Sequence, residues 1–547
     1  MITLGKFLIN ELSDAGAYHI FGIPGDYTLN FINEVENDTD MTYVGISRED
    51  SVGYAADAYA RMKGCGVACV TYSVGGMNIM NPIAGAFAER SPVVVIAGVP
   101  NKEDIEKNPN KHHTIHDINT QKNIFDNVVC SSVKLDSDYM VENMIMIHQS
   151  IQSMKHISRP IYIEFSNKDI IREITDNELL TFKELNKDNK KTQRKFTAEI
   201  EAINKIFSDA SNRVLILGHE IFRTSLENLI IDFADKLNIP VFTTLLGKST
   251  VDENNPIVMG VLSQLSTNPE IMELVNKSDC IITMGMNNTD LDGFTFTPHF
   301  SLNMSDGVSV NGKYIGFPDF RNMITGFCEF FYDTERQSDD IMDNWRITTF
   351  KPPINNSSKD LTLEHVFGII SNGLSDEHIV ISDIGESLFG MIDVPVKNGQ
   401  FLSMAYYTSM SFSVPGAVGV KFAKPEKRPI VIVGDGAFQM TGSEFCSHIR
   451  YNMNSIIIIL NNRGYSTERA IMDGKFNDIH NWQYEKIVDL MNGGIGKYIK
   501  GTEEFNYFFN EALNDKDKSW VFNVQISPND MSSVMKSIAD KMCKQAL

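Results

Sequence analysis

The stretch IVGDGAFQMTGSEFCSHIRYNMNSIIIILNNRGYSTE, residues 432–468, decides how the whole chain is read. An apolar run, PIVIV, ends in Gly434-Asp435-Gly436. A helical pattern follows, and a second apolar run, SIIIIL, ends in Asn461-Asn462. Short continuous apolar runs flanking a helix predict parallel strands buried on both faces of a sheet. The carboxyl ends of such strands open onto one crevice, so Asp435 and Asn462, 27 positions apart, can meet there. One anionic and one amide oxygen suit Mg²⁺, a hard cation that usually completes its shell with substrate phosphate and water. Gly434 and Gly436 let backbone approach a ligand closely, and the helix start beyond them favours an anionic phosphate. Alone, GDG is a common strand-to-helix turn and NN an ordinary one. The specificity lies in the pairing, with the right elements between.

The same alternation of strand and helix patterns recurs along all 547 residues, a length that predicts three or four domains. Residues 1–171 open with a helical pattern over Leu4–Ala15 and continue with HIFGI, MTYVGI, GVACVTYS and PVVVIAG as strands, with DSVGYAADAYARM as a helix. Residues 196–335 offer RVLILG, PVFTT and CIITMG as strands and a helix over Leu226–Leu237. Residues 361–547 add IVISDIG, RPIVIVGDG, SIIIILNN and WVFNVQI. Between these blocks, 172–195 and 336–360 are polar, charge-rich and without sustained apolar periodicity, and both are expected to be linkers. The expected fold is α/β, with three open, mostly parallel-sheet domains.

Charge narrows the partners. The formal net charge of −21, from 49 Lys and Arg against 70 Asp and Glu, disfavours nucleic acid and anionic membrane, which call for a basic face. The longest aliphatic run, Ile456–Leu460, is far short of the roughly 20 residues of a spanning helix. The start, MITLGKFLINELSDAG, lacks signal-peptide order. Seven scattered cysteines without a CxxC suggest reduced thiols and a cytoplasmic enzyme.

The GDG–NN pair resembles the diphosphate signature of thiamine-diphosphate (ThDP) enzymes, and the block order resembles their pyrimidine-binding, central and diphosphate-binding domains. The resemblance covers essentially the whole chain and is closest to the 2-oxo acid decarboxylases acting on pyruvate, indolepyruvate, phenylpyruvate or branched-chain 2-oxo acids. It implies that Asp435, Asn462 and the Gly464 carbonyl bind Mg²⁺, with Gly436, Ala437 and Tyr465 beside the cofactor. FGIPGDYTLNF (21–31) resembles a family segment that makes Asp26 the carboxylate facing the reacting carbon. SREDSVGYAADAYAR (47–61) resembles the segment whose acid, here Glu49, meets the aminopyrimidine ring. A carboxylate held against that ring nitrogen promotes the imino tautomer, which can deprotonate the thiazolium. Without the family pattern, Glu49 would read as an acid favoured by the helix dipole. YYTSMSFSVPGAVG (406–419) resembles the segment that bends the cofactor, with Met410 as the prop and Thr408 and Ser409 at the pyrimidine. In GYSTE, Glu468 matches the family's acid beside the substrate.

NPNKHHTIHD (108–117) places three histidines close together. Adjacent residues of an extended loop point oppositely, so His112 and His113 are expected not to chelate one ion. His112 and His116 could share one only if helical, and no further ligand stands at zinc-like spacing. The family carries HHT in a loop of its first domain, which implies that His112 and His113 act as a pair handling protons near pH 7. His116 matches no family role. A second departure is DIGESLFG (383–390), where Glu386 stands at a pocket position usually occupied by Thr. Leu388, Thr467 and, on the C-terminal helix, Ile538 and Met542 complete the expected substrate pocket.

The resemblance therefore implies non-oxidative decarboxylation of a 2-oxo acid to an aldehyde and CO₂, with ThDP and Mg²⁺. It also implies a homodimer as the minimum and a homotetramer as the expected assembly, the site lying between subunits. Two alternatives stand beside it. A ThDP carboligase of the acetolactate synthase type is disfavoured by HHT and Glu468. A NAD(P)-binding oxidoreductase is disfavoured by the lack of a GxGxxG after a strand, and GGIGK (493–497) is not a P-loop.

Overall fold

The computed structural model describes residues 2–186, 197–263, 269–289, 292–294, 296–304, 306–349 and 361–546. Three sheets organise it. The first has six parallel strands in the order Thr42–Gly45, His19–Gly22, Gly66–Thr71, Val93–Val99, Ile161–Ser166, Ser131–Lys134. The third is also six-stranded and parallel: Phe401–Ser403, His378–Ser382, Arg428–Gly434, Ile456–Asn461, Trp520–Gln525, Ile495–Ile499. The second has seven strands. Val258–Val261, Val241–Thr243, Arg213–Leu217, Cys280–Met284 and Phe300–Asn303 run parallel, and Gly307–Val310 and Lys313–Gly316 extend the edge antiparallel. The α/β class and the three mostly parallel sheets match expectation. The antiparallel extension was not anticipated, because Phe300–Asn303 is half-polar and Asn311-Gly312, both at positive φ, make a tight turn that apolar-run counting passes over.

Chain contacts divide the molecule into two compact units: 1–191 with 407–426 and 440–453, and 192–406 with 427–439 and 454–547. The first unit is discontinuous in sequence. Its central helix, Glu49–Lys63, is buried on nearly every face, and the helix Ser413–Ala423 packs along it. Between these layers Arg61 reaches Asp57 at 2.9 Å and Glu89 at 2.8 Å, both carboxylates fully buried. This small, Ala-rich helix (YAADAYA) can be enclosed because little side-chain volume keeps its neighbours away.

Both stretches expected as linkers carry structure. In 172–195, Glu173–Ile174 pairs antiparallel with Ile2–Thr3, and Asp176–Asn186 is a helix whose buried Phe182 meets Phe7 edge-on at 5.3 Å. In 336–360, Asp339–Thr349 is a helix that buries Met342 and Trp345, the latter 5.6 Å from the Phe242 ring. One or two large anchors suffice to dock each helix, too few to register as periodicity in so polar a context. Residues 187–196 and 350–360 lie outside the described residues. Among the described residues, no helix is long and apolar enough to cross a membrane.

Candidate active site

In the first unit, Asp26 lies just past the strand His19–Gly22. The chain leaves this strand toward one neighbour and returns on its other side, the switch point where open α/β sheets place ligands. The Asp26 Oδ2 is 2.8 Å from His112 Nε2, and the His112 ring stacks on Tyr27, with centroids 4.9 Å apart at 18°. His113 has φ +70°. That left-handed turn breaks the alternation of an extended loop and corrects the expectation that the two imidazoles diverge: their centroids are 4.7 Å apart. Ligand atoms of Asp26, His112 and His113 all fall within 4.8 Å of one another. Two imidazoles and a carboxylate are a donor set that could hold a borderline cation such as Zn²⁺, and equally one that can pass a proton. His116 stands apart, its side chain 84% exposed and facing Asp117.

Glu49 opens the helix that follows Thr42–Gly45, and its Oε2 accepts a hydrogen bond from Asn78 Nδ2 at 2.7 Å. Thr408–Met410 precedes the helix that packs on Glu49–Lys63. Here the backbone is strained, with Thr408 at φ +55° and Ser411 at φ +87°, each costing about 1–3 kcal/mol and kept only where neighbours impose it. They do so through a polar clasp. Tyr54 Oη and Ser409 Oγ are 2.6 Å apart, Asn81 Nδ2 donates to both, and Thr441 Oγ1 donates to the Ser411 carbonyl at 2.9 Å. Met410 is only partly buried and so is not a core methionine.

In the second unit, Gly434 pairs with Leu460 at the carboxyl ends of adjacent parallel strands, which brings the Asp435 and Asn462 segments together. Asp435 is 1% exposed. Its Oδ1 accepts from Gly436 N at 2.8 Å and its Oδ2 from Arg463 N at 2.6 Å. Burial pushes its carboxyl up to about 6 despite these backbone donors. Asn462 Oδ1 accepts from Gly464 N at 3.2 Å. A Cβ on Gly436 would come within 2.6 Å of Tyr465 Cε1, so this glycine allows the ring to close over the turn, and one on Gly434 would meet nothing within 4 Å. A buried carboxylate, an amide oxygen and open space beside them form the hard-oxygen donor set that fits Mg²⁺ with a diphosphate. The residues present fit both groups.

Arg469 was missed by sequence reasoning: it donates to the carbonyls of Asn462 at 3.2 Å and Arg463 at 3.1 Å while pairing with Asp478 at 2.7 Å, stapling the turn. Nothing in its spacing signals this, because the partner carbonyls carry no sequence mark. Asn78 was missed likewise.

Glu468 is exposed on the helix Ser466–Ile471, and Thr467 lies 3.1 Å from where a Cβ on Gly385 would be. Leu388 and Ile538 belong to one apolar core cluster, Leu388 being fully buried and Ile538 4% exposed; the Met542 side chain lies outside what is described. Glu386 is 4% exposed, and its two carboxylate oxygens accept from Ser532 N at 3.2 and 3.3 Å.

Comparison with known proteins decides the family. The N-terminal TPP binding domain of thiamine pyrophosphate enzymes matches residues 2–124, the central domain 200–312, and the C-terminal TPP binding domain 383–524. The chain belongs to the ThDP-dependent 2-oxo acid decarboxylase family. The enzyme is 29% identical to pyruvate decarboxylase 3 of Arabidopsis thaliana, covering 97% of this chain and 91% of that one. Pyruvate decarboxylase 1 of Pisum sativum is 28% identical over 90% of this chain and 84% of its own. Indole-3-pyruvate decarboxylase of Azospirillum brasilense is 25% identical, over 98% and 97%.

Proposed function

We propose that the enzyme converts a 2-oxo acid to an aldehyde and CO₂, using ThDP held through Mg²⁺, as a cytoplasmic homodimer at minimum and a homotetramer as its working form. The observation that carries the cofactor assignment is the convergence of Asp435 and Asn462 at adjacent strand ends, marked by the 2.6 Å hydrogen bond from Arg463 N to Asp435. Asp435, Asn462 and the Gly464 carbonyl would hold Mg²⁺. Gly436, Ala437 and Tyr465 would line the diphosphate, and Thr408, Ser409 and Met410 the pyrimidine. Bound ThDP supplies the nucleophilic carbon and the electron sink. Glu49, its carboxylate held by Asn78, would face the aminopyrimidine of the bound cofactor and hold or take a proton there. Asp26 and His112, already joined by a hydrogen bond, and His113 beside them deliver and remove protons as the aldehyde is formed and released; Glu468 is the further acid at the substrate. Free thiols at the six described cysteines agree with a reducing compartment.

The test is a panel of aliphatic and aromatic 2-oxo acids, assayed for CO₂ and aldehyde with ThDP and Mg²⁺ added or omitted. Release of CO₂ that requires both additions is expected. Turnover independent of ThDP, or acetolactate-type products in place of aldehyde, would overturn the proposal.

A further inference from the structure

Glu386 is a buried acid that none of the proposed chemical steps uses. Its oxygens are taken up by the N–H of Ser532, the residue that caps the C-terminal helix Ser533–Ala546: Ser532 Oγ accepts from Met535 N at 3.2 Å, and the Ser532 carbonyl accepts from Lys536 N at 3.0 Å. An acceptor at this place satisfies an otherwise buried donor and lies at the positive end of the helix. The helix then lays Val534, Met535, Ile538 and Ala539 into the core and packs against Ser466–Ile471, the helix that carries Glu468. A further polar contact is looser, Ser533 Oγ to Asp393 at 3.4 Å on the surface.

We propose that Glu386 is a positioning residue that latches the C-terminal helix onto the Glu468-bearing helix through Ser532. Glu386 thereby acts on the reaction through Glu468 and not on the substrate. The inference rests on the reading of Glu468 as a reacting group, whereas the latch itself is read from helix docking alone.

Burial raises the Glu386 carboxyl from 4.5 to about 7, against the hydrogen bonds from Ser532; of the charged groups that act on it, Asp530 raises it further and Lys536 opposes. When the helix lifts and water reaches the carboxyl, its ordinary value returns. The docked state therefore holds the proton more tightly, so docking is strongest at low pH. It weakens up to tenfold per unit as pH rises from about 4.5 to about 7, and then levels off.

The experiment is hydrogen exchange of the backbone amides of residues 533–546 in the full-length enzyme with ThDP and Mg²⁺, from pH 5 to 8 and corrected for intrinsic exchange, with kcat and KM measured on the same samples. Wild type should lose protection by about 40-fold between pH 5 and 7 and by only about twofold more to pH 8. Glu386→Gln, neutral at every pH and still able to accept from Ser532, should hold protection flat across the pH range. Glu386→Ala should lose at least tenfold in protection and at least tenfold in kcat, with KM little changed. Protection in Glu386→Ala equal to wild type, a wild-type pH dependence in Glu386→Gln, or lost protection with an unchanged kcat would each overturn the latch. Absence of decarboxylation by wild type on every 2-oxo acid would strike the functional proposal instead, and the exchange data would still read the latch.

Discussion

Replacing Asp435 by Asn should move stability in opposite directions with and without the cofactor. In the metal-free enzyme Asp435 is a carboxylate with 1% exposure whose carboxyl rises from 3.8 to about 6 through burial. An acid whose folded value lies above its unfolded one penalises the folded state progressively from about pH 4 to 6, and the penalty is complete above that. A rise of about two units corresponds to about 3 kcal/mol at pH 8. Asparagine removes this charge, but it offers one acceptor where Gly436 N and Arg463 N now meet two, a loss of about 1–2 kcal/mol. The metal-free variant should therefore be more stable than wild type at pH 8 by about 1–2 kcal/mol and equal or weaker near pH 4. Adding Mg²⁺ and ThDP at about 100 times their dissociation constant should stabilise wild type by about 2.7 kcal/mol and the variant by almost nothing. Calorimetric unfolding with and without the two ligands reads both effects, on whichever transition the ligands move, since a chain of several domains need not unfold in two states. A variant stabilised by Mg²⁺ and ThDP as strongly as wild type would refute the placement of the metal at Asp435.

Glu49→Gln should abolish CO₂ release while leaving the unfolding midpoint within about 0.5 kcal/mol, because the amide can still accept from Asn78; a turnover assay beside thermal unfolding checks this, and near-normal turnover would sink the cofactor-activation role. Arg61→Met should destabilise the first unit by about 3–5 kcal/mol, since it strands Asp57 and Glu89 without a counter-charge, and urea unfolding followed by circular dichroism will show it. His448 is fully buried, and burial lowers its value to about 4; the same holds for His378, 4% exposed. Both stay neutral when folded but charge in the unfolded chain below about 6.5. Each should therefore cost up to about 3 kcal/mol of stability as pH falls from about 6.5 to 4, and His448→Gln should flatten that slope in urea titrations at several pH values.

Much of this was legible in the sequence, for a physical reason. Strands such as IIIIL and VVVIAG are buried on both faces of parallel sheets, so they read as continuous apolar runs. The meeting of Asp435 and Asn462 was legible because both residues follow directly on such strands. What escaped depends on single atoms or dihedral angles. The convergence of His112 and His113 turns on one backbone angle at a non-glycine residue. The Arg469 staple uses main-chain carbonyls, and the clasp at Thr408–Ser411 joins Tyr54, Asn81 and Thr441, residues up to 387 positions apart in the chain. The docked helices at 176–186 and 339–349 hang on Phe182 and on Met342 with Trp345, anchors too sparse to show in a periodicity.

The discontinuity of the first unit bears on how the protein is made. A ribosome releases residues 1–191 long before 407–426 and 440–453 exist. At about 5–20 residues per second, the pieces that complete the unit follow after roughly 13 to 50 seconds. During that wait the helix Glu49–Lys63 has no Ser413–Ala423 against it, and its small, apolar flank faces water or whatever binds nascent chains. Completion of the first unit must therefore wait on segments made far later than its sheet, which can form early, and truncated chains ending before residue 407 should be the ones that engage chaperones and aggregate.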